Sequence, residues 1–246
     1  MNSWTERTLL LIGDNALEKL SKSHVLVVGL GGVGAYAAEM ICRAGVGEMT
    51  IVDADTVNHS NINRQLPALN STVGLSKAEV MKHRLLDINP NLKLTVIPKY
   101  IKDEETDRLL DLANYSYVVD CIDTLAPKVN LIKKTLERKI PLISSMGAGA
   151  KTDPSKVEIK DISKSHHCPL AHMLRKRLSK LGIKKGFKVV FSSEQARSEA
   201  VVLTENEQNK KTTVGTISYM PPLFGCCCAS VVLRELVGEP EIKKED

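Results

Sequence analysis

Gly29-Leu30-Gly31-Gly32-Val33-Gly34 follows directly on the apolar run Val25-Leu26-Val27-Val28 and leads into the alanine-rich stretch Ala35-Tyr36-Ala37-Ala38. An unbroken apolar run is what a strand buried on both faces requires, and the segment after it reads as a helix. Strand, glycine turn and helix in this order form a phosphate cradle. The glycines permit a tight turn and close backbone approach, and the helix N-terminus offers free N–H groups and the positive end of its dipole. The spacing G-x-G-x-x-G announces a nucleotide without saying which one. Asp53, closing the next strand, is the expected acceptor for a ribose 2′-hydroxyl.

Outward from this loop, strands and helices alternate. After the helix Gly34 to Ala44 come strand Met49 to Val52, helix Lys77 to Leu86, strand Leu94 to Ile97 and helix Glu104 to Ala113. Strand Tyr117 to Cys121, helix Pro127 to Arg138 and strand Leu142 to Ser145 follow. Five such units predict an α/β fold with a Rossmann-like, mostly parallel sheet flanked by helices. Ahead of it, Leu9, Leu10, Ile12, Leu17 and Leu20 give a helical pattern broken around Gly13. Beyond Gly149 the rhythm changes. Val157 to Ile159 and Lys188 to Ser192 read as strands around a basic helix from Pro169 to Leu181. Residues 204–213 read as a polar mobile loop, Thr216 to Tyr219 as a strand, Leu223 to Val237 as a closing helix, and 238–246 as a frayed tail. The reading is one domain over 1–246: a nucleotide-binding core at 1–150, an elaborated C-terminal third at 151–237 for substrate, and the tail.

Composition bounds the class. The 246 residues are 43% apolar and 26% charged, ordinary for a folded domain, and the net charge of +5 is mild. Its distribution is not even: Lys151 to Lys188 holds eleven Lys and Arg against Asp153, Glu158 and Asp161. Such a cluster suits phosphates, or forms a solvated surface. Cys42, Cys121, Cys168, Cys226, Cys227 and Cys228 show neither a secreted framework nor a C-x-x-C pair for zinc. With a polar Met1 to Arg7 and no apolar leader after it, a cytoplasmic protein with reduced thiols is expected. Leu223 to Leu233 is too short to span a bilayer, so no membrane is expected, and Cys226 to Cys228 read as small core residues of a helix.

The second segment decides between nucleotides. Asp53-Ala54-Asp55-Thr56-Val57 and Ser60-Asn61-Ile62-Asn63-Arg64-Gln65 supply groups that hydride transfer does not need. Asp55, two residues on in an extended segment, projects from the face that carries Asp53. Arg64 can grip phosphate oxygens bidentately and Asn61 can hydrogen-bond them, although a loop arginine is otherwise simply solvated. Lys77 opens a helix as a point charge for phosphates. Asp123, just past the strand ending at Cys121, lies where ligands of open α/β sheets bind. It can hold Mg²⁺ bridging phosphates, or cap the next helix. Taken alone, Gly29 to Gly34 with Asp53 would also fit an NAD-binding oxidoreductase or redox-sensing module; Arg64 and Gln65 argue against it.

In their order, Gly29 to Gly34, Asp53 to Val57, Ser60 to Gln65, Lys77 and Asp120-Cys121-Ile122-Asp123 resemble the adenylation domain of the ubiquitin-activating-type superfamily, over roughly residues 5–150. That superfamily includes the molybdopterin- and thiamine-pathway sulfur-carrier activators. The resemblance implies ATP and Mg²⁺ as cofactors, with Gly29, Gly31, Gly32, Gly34, Asp53, Asp55, Asn61, Arg64, Gln65 and Lys77 at the nucleotide. It implies catalytic roles for Arg64, Lys77 and Asp123, the last holding the metal. Arg7 matches an arginine that reaches the partner subunit's phosphates, which implies a homodimer.

Later segments narrow the branch. Ile143 to Pro154, Asp161 to Lys164, Pro169-Leu170-Ala171 with Arg175 and Arg177, and Gly215 to Pro221 resemble the tRNA threonylcarbamoyladenosine dehydratases, so the likeness covers nearly the whole chain. It implies activation of the threonyl carboxylate on tRNA, then ring closure with loss of water, the basic stretch serving the tRNA. A sulfur-relay protein is a further partner that this leaves open. A sulfur-carrier adenylyltransferase is the alternative, although the paired C-x-x-C motifs usual in the molybdopterin type are absent. Cys168 departs from the branch pattern, which has Asp before Pro-Leu-Ala. With His166, His167 and His172 beside it, Cys168 could form a thioester, bind a metal, or merely cap a basic helix.

Overall fold

The computed structural model describes residues 4–207 and 210–238. At its centre β1 (His24–Val28) is buried along its whole length. Alternate residues serve opposite faces. Val25 and Val27 join a core with α3 (Gly34–Arg43), α4 (Lys77–Ile88) and α8 (Met220–Val237). Leu26 and Val28 join another with α5 (Glu104–Leu110), α6 (Leu125–Glu137) and α7 (Pro169–Ser179). Two helical layers therefore sandwich the sheet, which is why this strand reads as unbroken apolar sequence.

The sheet has seven strands. β2 (Glu48–Val52) and β3 (Lys93–Ile97) lie on one side of β1. On its other side come β4 (Tyr117–Asp120), β5 (Leu142–Ser145), β7 (Lys188–Ser192) and β6 (Val157–Asp161). All neighbours run parallel except β6, antiparallel to β7 at the edge. The parallel reading and the change of rhythm after Gly149 are both borne out. Because β2 and β4 flank β1, the loops after β1 and β4 diverge to opposite layers and open a crevice at the carboxyl edge.

Gly13, at φ +80°, separates α1 (Glu6–Ile12) from α2 (Asp14–Ser21), as the broken pattern predicts. None of the residues of α1 is buried, and Leu10 and Leu11 are 81% and 85% exposed.

Three readings are corrected. Most of 204–213 forms a hairpin of β8 (Val201–Glu207) and β9 (Lys210–Val214), where a mobile loop was expected. Val201 pairs with Val214 and Val202 with Thr213, so β-branched residues at its base outweigh the polar middle. Thr216 to Tyr219 is a loop and turn, not a strand; it feeds a helix begun by Met220-Pro221-Pro222, where Pro suits the first turn. That helix, α8, starts three residues earlier than expected. Its 18 residues at mean hydropathy 1.4 are long and apolar enough to cross a membrane, yet Met220, Phe224, Cys228 and Val232 are packed in the core at helical spacing. Cys228 is thus a core residue while Cys226 is exposed, a division the apolar stretch conceals. The frayed-tail expectation concerns residues that, beyond Gly238, lie outside those described.

Candidate active site

The glycine loop joins β1 to α3. Gly29 sits at φ +93°, where a Cβ would stand 2.8 Å from the Cys121 carbonyl oxygen. A Cβ on Gly34 would stand 1.7 Å from the Gly29 carbonyl oxygen, so the turn closes only with glycine there. Gly32 faces Pro221 of α8. Gly31 is different: its nearest neighbour is the Gln65 side chain at 3.7 Å, and its free side forms the open cradle.

Asp53 serves this loop from the end of β2. Its two oxygens accept from Leu30 N at 2.5 Å and from Asp55 N at 2.8 Å. The second bond is an Asx-turn. Burial pushes the Asp53 carboxyl above its ordinary range, against the pull of Lys77 and the two amides. Asp55 takes the Lys77 ammonium at 2.9 Å, and the Lys77 side chain is buried while that of Asp55 is exposed. The phosphate lysine of the sequence reading is therefore held beside the ribose acid by its neighbour.

The loop after β2 is braced internally. Asn61 is buried, and its Oδ1 accepts from Asn58 N at 3.1 Å. Its side-chain oxygen is thus a structural acceptor, and Nδ2, the atom able to donate to a phosphate, takes no part in that bond. Arg64 is half-buried; its guanidinium donates to Ser60 O at 2.9 Å and Asn63 Oδ1 at 2.8 Å. Among the described residues it has no carboxylate within ion-pair distance. Gln65 lays its amide Nε2 beside Gly31, and its buried Oε1 has no hydrogen-bond partner among the described residues; such an atom calls for a ligand.

Asp123 is exposed on the loop after β4, at the carboxyl edge. The sequence reading missed what fixes that loop. The Asp120 carboxylate, fully buried, meets the Lys128 ammonium at 2.8 Å and accepts from Ser144 Oγ at 2.6 Å and Ile122 N at 3.1 Å. Lys128 also donates to Ile122 O at 2.9 Å. A lysine on an amphipathic helix gives no signal of being buried; the only hint was a carboxylate inside an apolar strand.

Arg7 is not brought to the site within one chain. Thr5 lies against Gly45, beyond the C-terminal end of α3. The glycine loop is at that helix's other end, roughly 15 Å away for ten residues. Nor does the Cys168 cluster form a metal centre: among the described residues no group of three or more His, Cys, Asp or Glu is disposed to hold an ion. His166 instead stacks edge-on against Phe191 at 5.3 Å.

The site thus joins an open glycine cradle, an unpaired guanidinium, a held lysine and an edge carboxylate. The ThiF family model matches residues 5–246. The tRNA threonylcarbamoyladenosine dehydratase of Bacillus subtilis is 41% identical over 97% of this chain and 96% of its own length. The crystal structure of the Escherichia coli tRNA N6-threonylcarbamoyladenosine dehydratase in complex with ATP superposes with a TM-score of 0.87 at 35% identity, covering 95% of this chain and 93% of that one. The Escherichia coli molybdopterin-synthase adenylyltransferase is 39% identical over only 52% of this chain and 50% of its own length. The chain belongs to the ThiF family.

Proposed function

We propose that the protein is an ATP-dependent dehydratase that cyclises threonylcarbamoyladenosine in tRNA by adenylating the threonyl carboxylate. The observation that carries the adenylation is the loop of Arg64 and Gln65 laid against the glycine cradle, with no carboxylate on the guanidinium. The match to a tRNA-modifying relative over nearly its whole length, beside a half-length match to the sulfur-carrier activator, favours tRNA as substrate.

A carboxylate is a poor electrophile because its leaving group would be oxide, and adenylation replaces that with AMP. The Gly31 and Gly32 backbone and the N-terminus of α3 receive the phosphates. Arg64 and Lys77 offset charge as pyrophosphate departs. Asp53 is held by Leu30 and Asp55 where a ribose hydroxyl would reach it. Ring closure by a neighbouring nitrogen or oxygen of the same substrate is intramolecular and needs mainly orientation, so it requires no enzyme thiol. Asp123 is the carboxylate that would hold Mg²⁺, a hard cation suited to oxygen donors; when bound it supplies charge neutralisation between phosphates.

The remaining assignments stand as proposals. Bare Leu10 and Leu11 beside an Arg7 remote from its own site support a homodimer in which Arg7 serves the other copy's nucleotide. Free cysteines among the described residues support a cytoplasmic protein. A sulfur-relay partner would meet Cys226, the exposed thiol of α8. The decisive test incubates the protein with ATP, Mg²⁺ and tRNA bearing the modification, then digests the RNA to nucleosides. A nucleoside lighter by one water is expected, and an unchanged mass on intact tRNA overturns the reading. Pyrophosphate exchange stimulated by a small protein ending in Gly-Gly would favour the sulfur-carrier alternative.

A further inference from the structure

A second cavity of about 390 Å³ opens where β5 and β7 end, and its walls include His166, His167, Cys168, His172, Arg175 and Gln195. Its place follows from the topology. Gly147, just past β5, lies against Cys168, and Gln195 follows β7 at the same carboxyl edge that carries the glycine cradle. In the strand order β1-β4-β5-β7, β5 lies two spacings from the cradle, roughly 10 Å.

The cavity is rigidly built. Lys151 is buried, and its ammonium donates to His167 O and Ser192 O, both at 3.2 Å, and to Glu194 O. One cation thus ties together the loops after β5, after β7 and before α7. His167 and Ala150 are held at φ +50° and +58°, which L-residues adopt only where their surroundings fix them. Burial pushes the Lys151 ammonium below its usual value.

We infer that this cavity is the seat of the modified nucleoside itself, taking the purine that bears the threonylcarbamoyl arm. The inference rests on the dehydratase reading and names the part of the substrate that the site must orient. RNA bases splayed from a loop are recognised by stacking on flat side chains and by hydrogen bonds to their edges. The His172 imidazole offers a face, Gln195 an amide edge, and Arg175 the guanidinium N–H groups that are not spent on Ser165. The arm covers about half of the separation between this cavity and the cradle, one strand spacing. Four bonds separate the reactive carboxyl carbon from the purine, about 5 Å by ordinary bond lengths. A base in the cavity therefore sends its carboxylate back along the sheet edge toward β4 and the phosphates.

The test is direct binding by the full-length protein with its nucleotide site filled by AMP, so that no chemistry intervenes. The probes are an anticodon stem-loop carrying threonylcarbamoyl on its adenosine and the same stem-loop with plain adenosine. Both loops carry the purine, so the wild type is expected to bind each, the modified one more tightly through its arm. His172→Ala and Gln195→Ala, both at exposed positions, are expected to weaken binding of both loops roughly tenfold or more, the size of one lost base stack, while leaving AMP affinity unchanged. Affinity for both loops unchanged in the two variants overturns the inference. The mass assay on tRNA is scored separately: binding that is sensitive to the two variants, without dehydration, leaves the cavity standing and removes the dehydratase reading.

Discussion

The Asp120 carboxylate and the Lys128 ammonium face each other at 2.8 Å with neither side chain exposed. One comes from β4 and the other from α6, so the pair closes the loop that carries Asp123. A buried ion pair adds little net stability, but removing one partner strands a charge and costs about 3–5 kcal/mol. Lys128→Met is therefore expected to lower unfolding free energy by about that amount, read from urea melts. Asp120→Asn with Lys128→Met should recover part of the loss. A Lys128→Met variant within about 1 kcal/mol of wild type would show that water reaches the pair.

Arg64 answers to neutral partners only, the Ser60 carbonyl and the Asn63 amide oxygen. Its charge is uncommitted, so Arg64→Ala should leave the melting temperature nearly unchanged while abolishing turnover. Arg64→Lys keeps a charge but not the two-pronged grip, and is expected to restore only a small part of activity. Wild-type-like turnover of Arg64→Ala would remove the phosphate role.

Gly31 and Gly34 make opposite predictions from the same motif. A Cβ at Gly34 would stand 1.7 Å from the Gly29 carbonyl, a clash that no side-chain movement relieves. Gly34→Ala should therefore melt early or fail to fold. A Cβ at Gly31 meets nothing closer than the Gln65 amide at 3.7 Å. Gly31→Ala should melt like wild type yet bind ATP more weakly, because the added methyl fills the cradle. Equal ATP affinity by calorimetry would show that phosphates do not lie over Gly31.

The fold was largely legible because the chain keeps local pattern and tertiary role aligned: Val25 to Val28 is apolar throughout since both faces of β1 are covered. The hairpin at 201–214 was not, since its strands pair only with each other and not with the seven-stranded sheet, and its polar middle reads as loop. At the site, residues on backbone loops, Gly29 to Gly34 and Asp53 to Gln65, were recognisable by spacing. Lys128 and Lys151 were not, because burial of a lysine depends on which carbonyls and carboxylates other elements bring to it. The charge count from Lys151 to Lys188 even treated Lys151 as part of a basic surface, whereas it is interior.

Glu194 gives the pH dependence of that same C-terminal third. Its carboxylate accepts from Thr152 N and Asp153 N, each at 2.8 Å. Burial works to raise its pKa, but those amides and the Lys151 charge outweigh it and hold the group below the ordinary range. An acid with a depressed folded pKa contributes its stability above the unfolded value of about 4.3. That contribution fades as pH falls through the folded value. Wild-type stability should therefore drop on acidification below about pH 5 partly through this group. Glu194→Gln should be less stable at neutral pH, since the neutral amide loses the negative charge that the two backbone N–H groups and the Lys151 ammonium stabilise, and its acid limb should be shallower. Melts of both proteins across that range decide it: parallel curves would mean that Glu194 does not latch the loop after β5 to the end of β7.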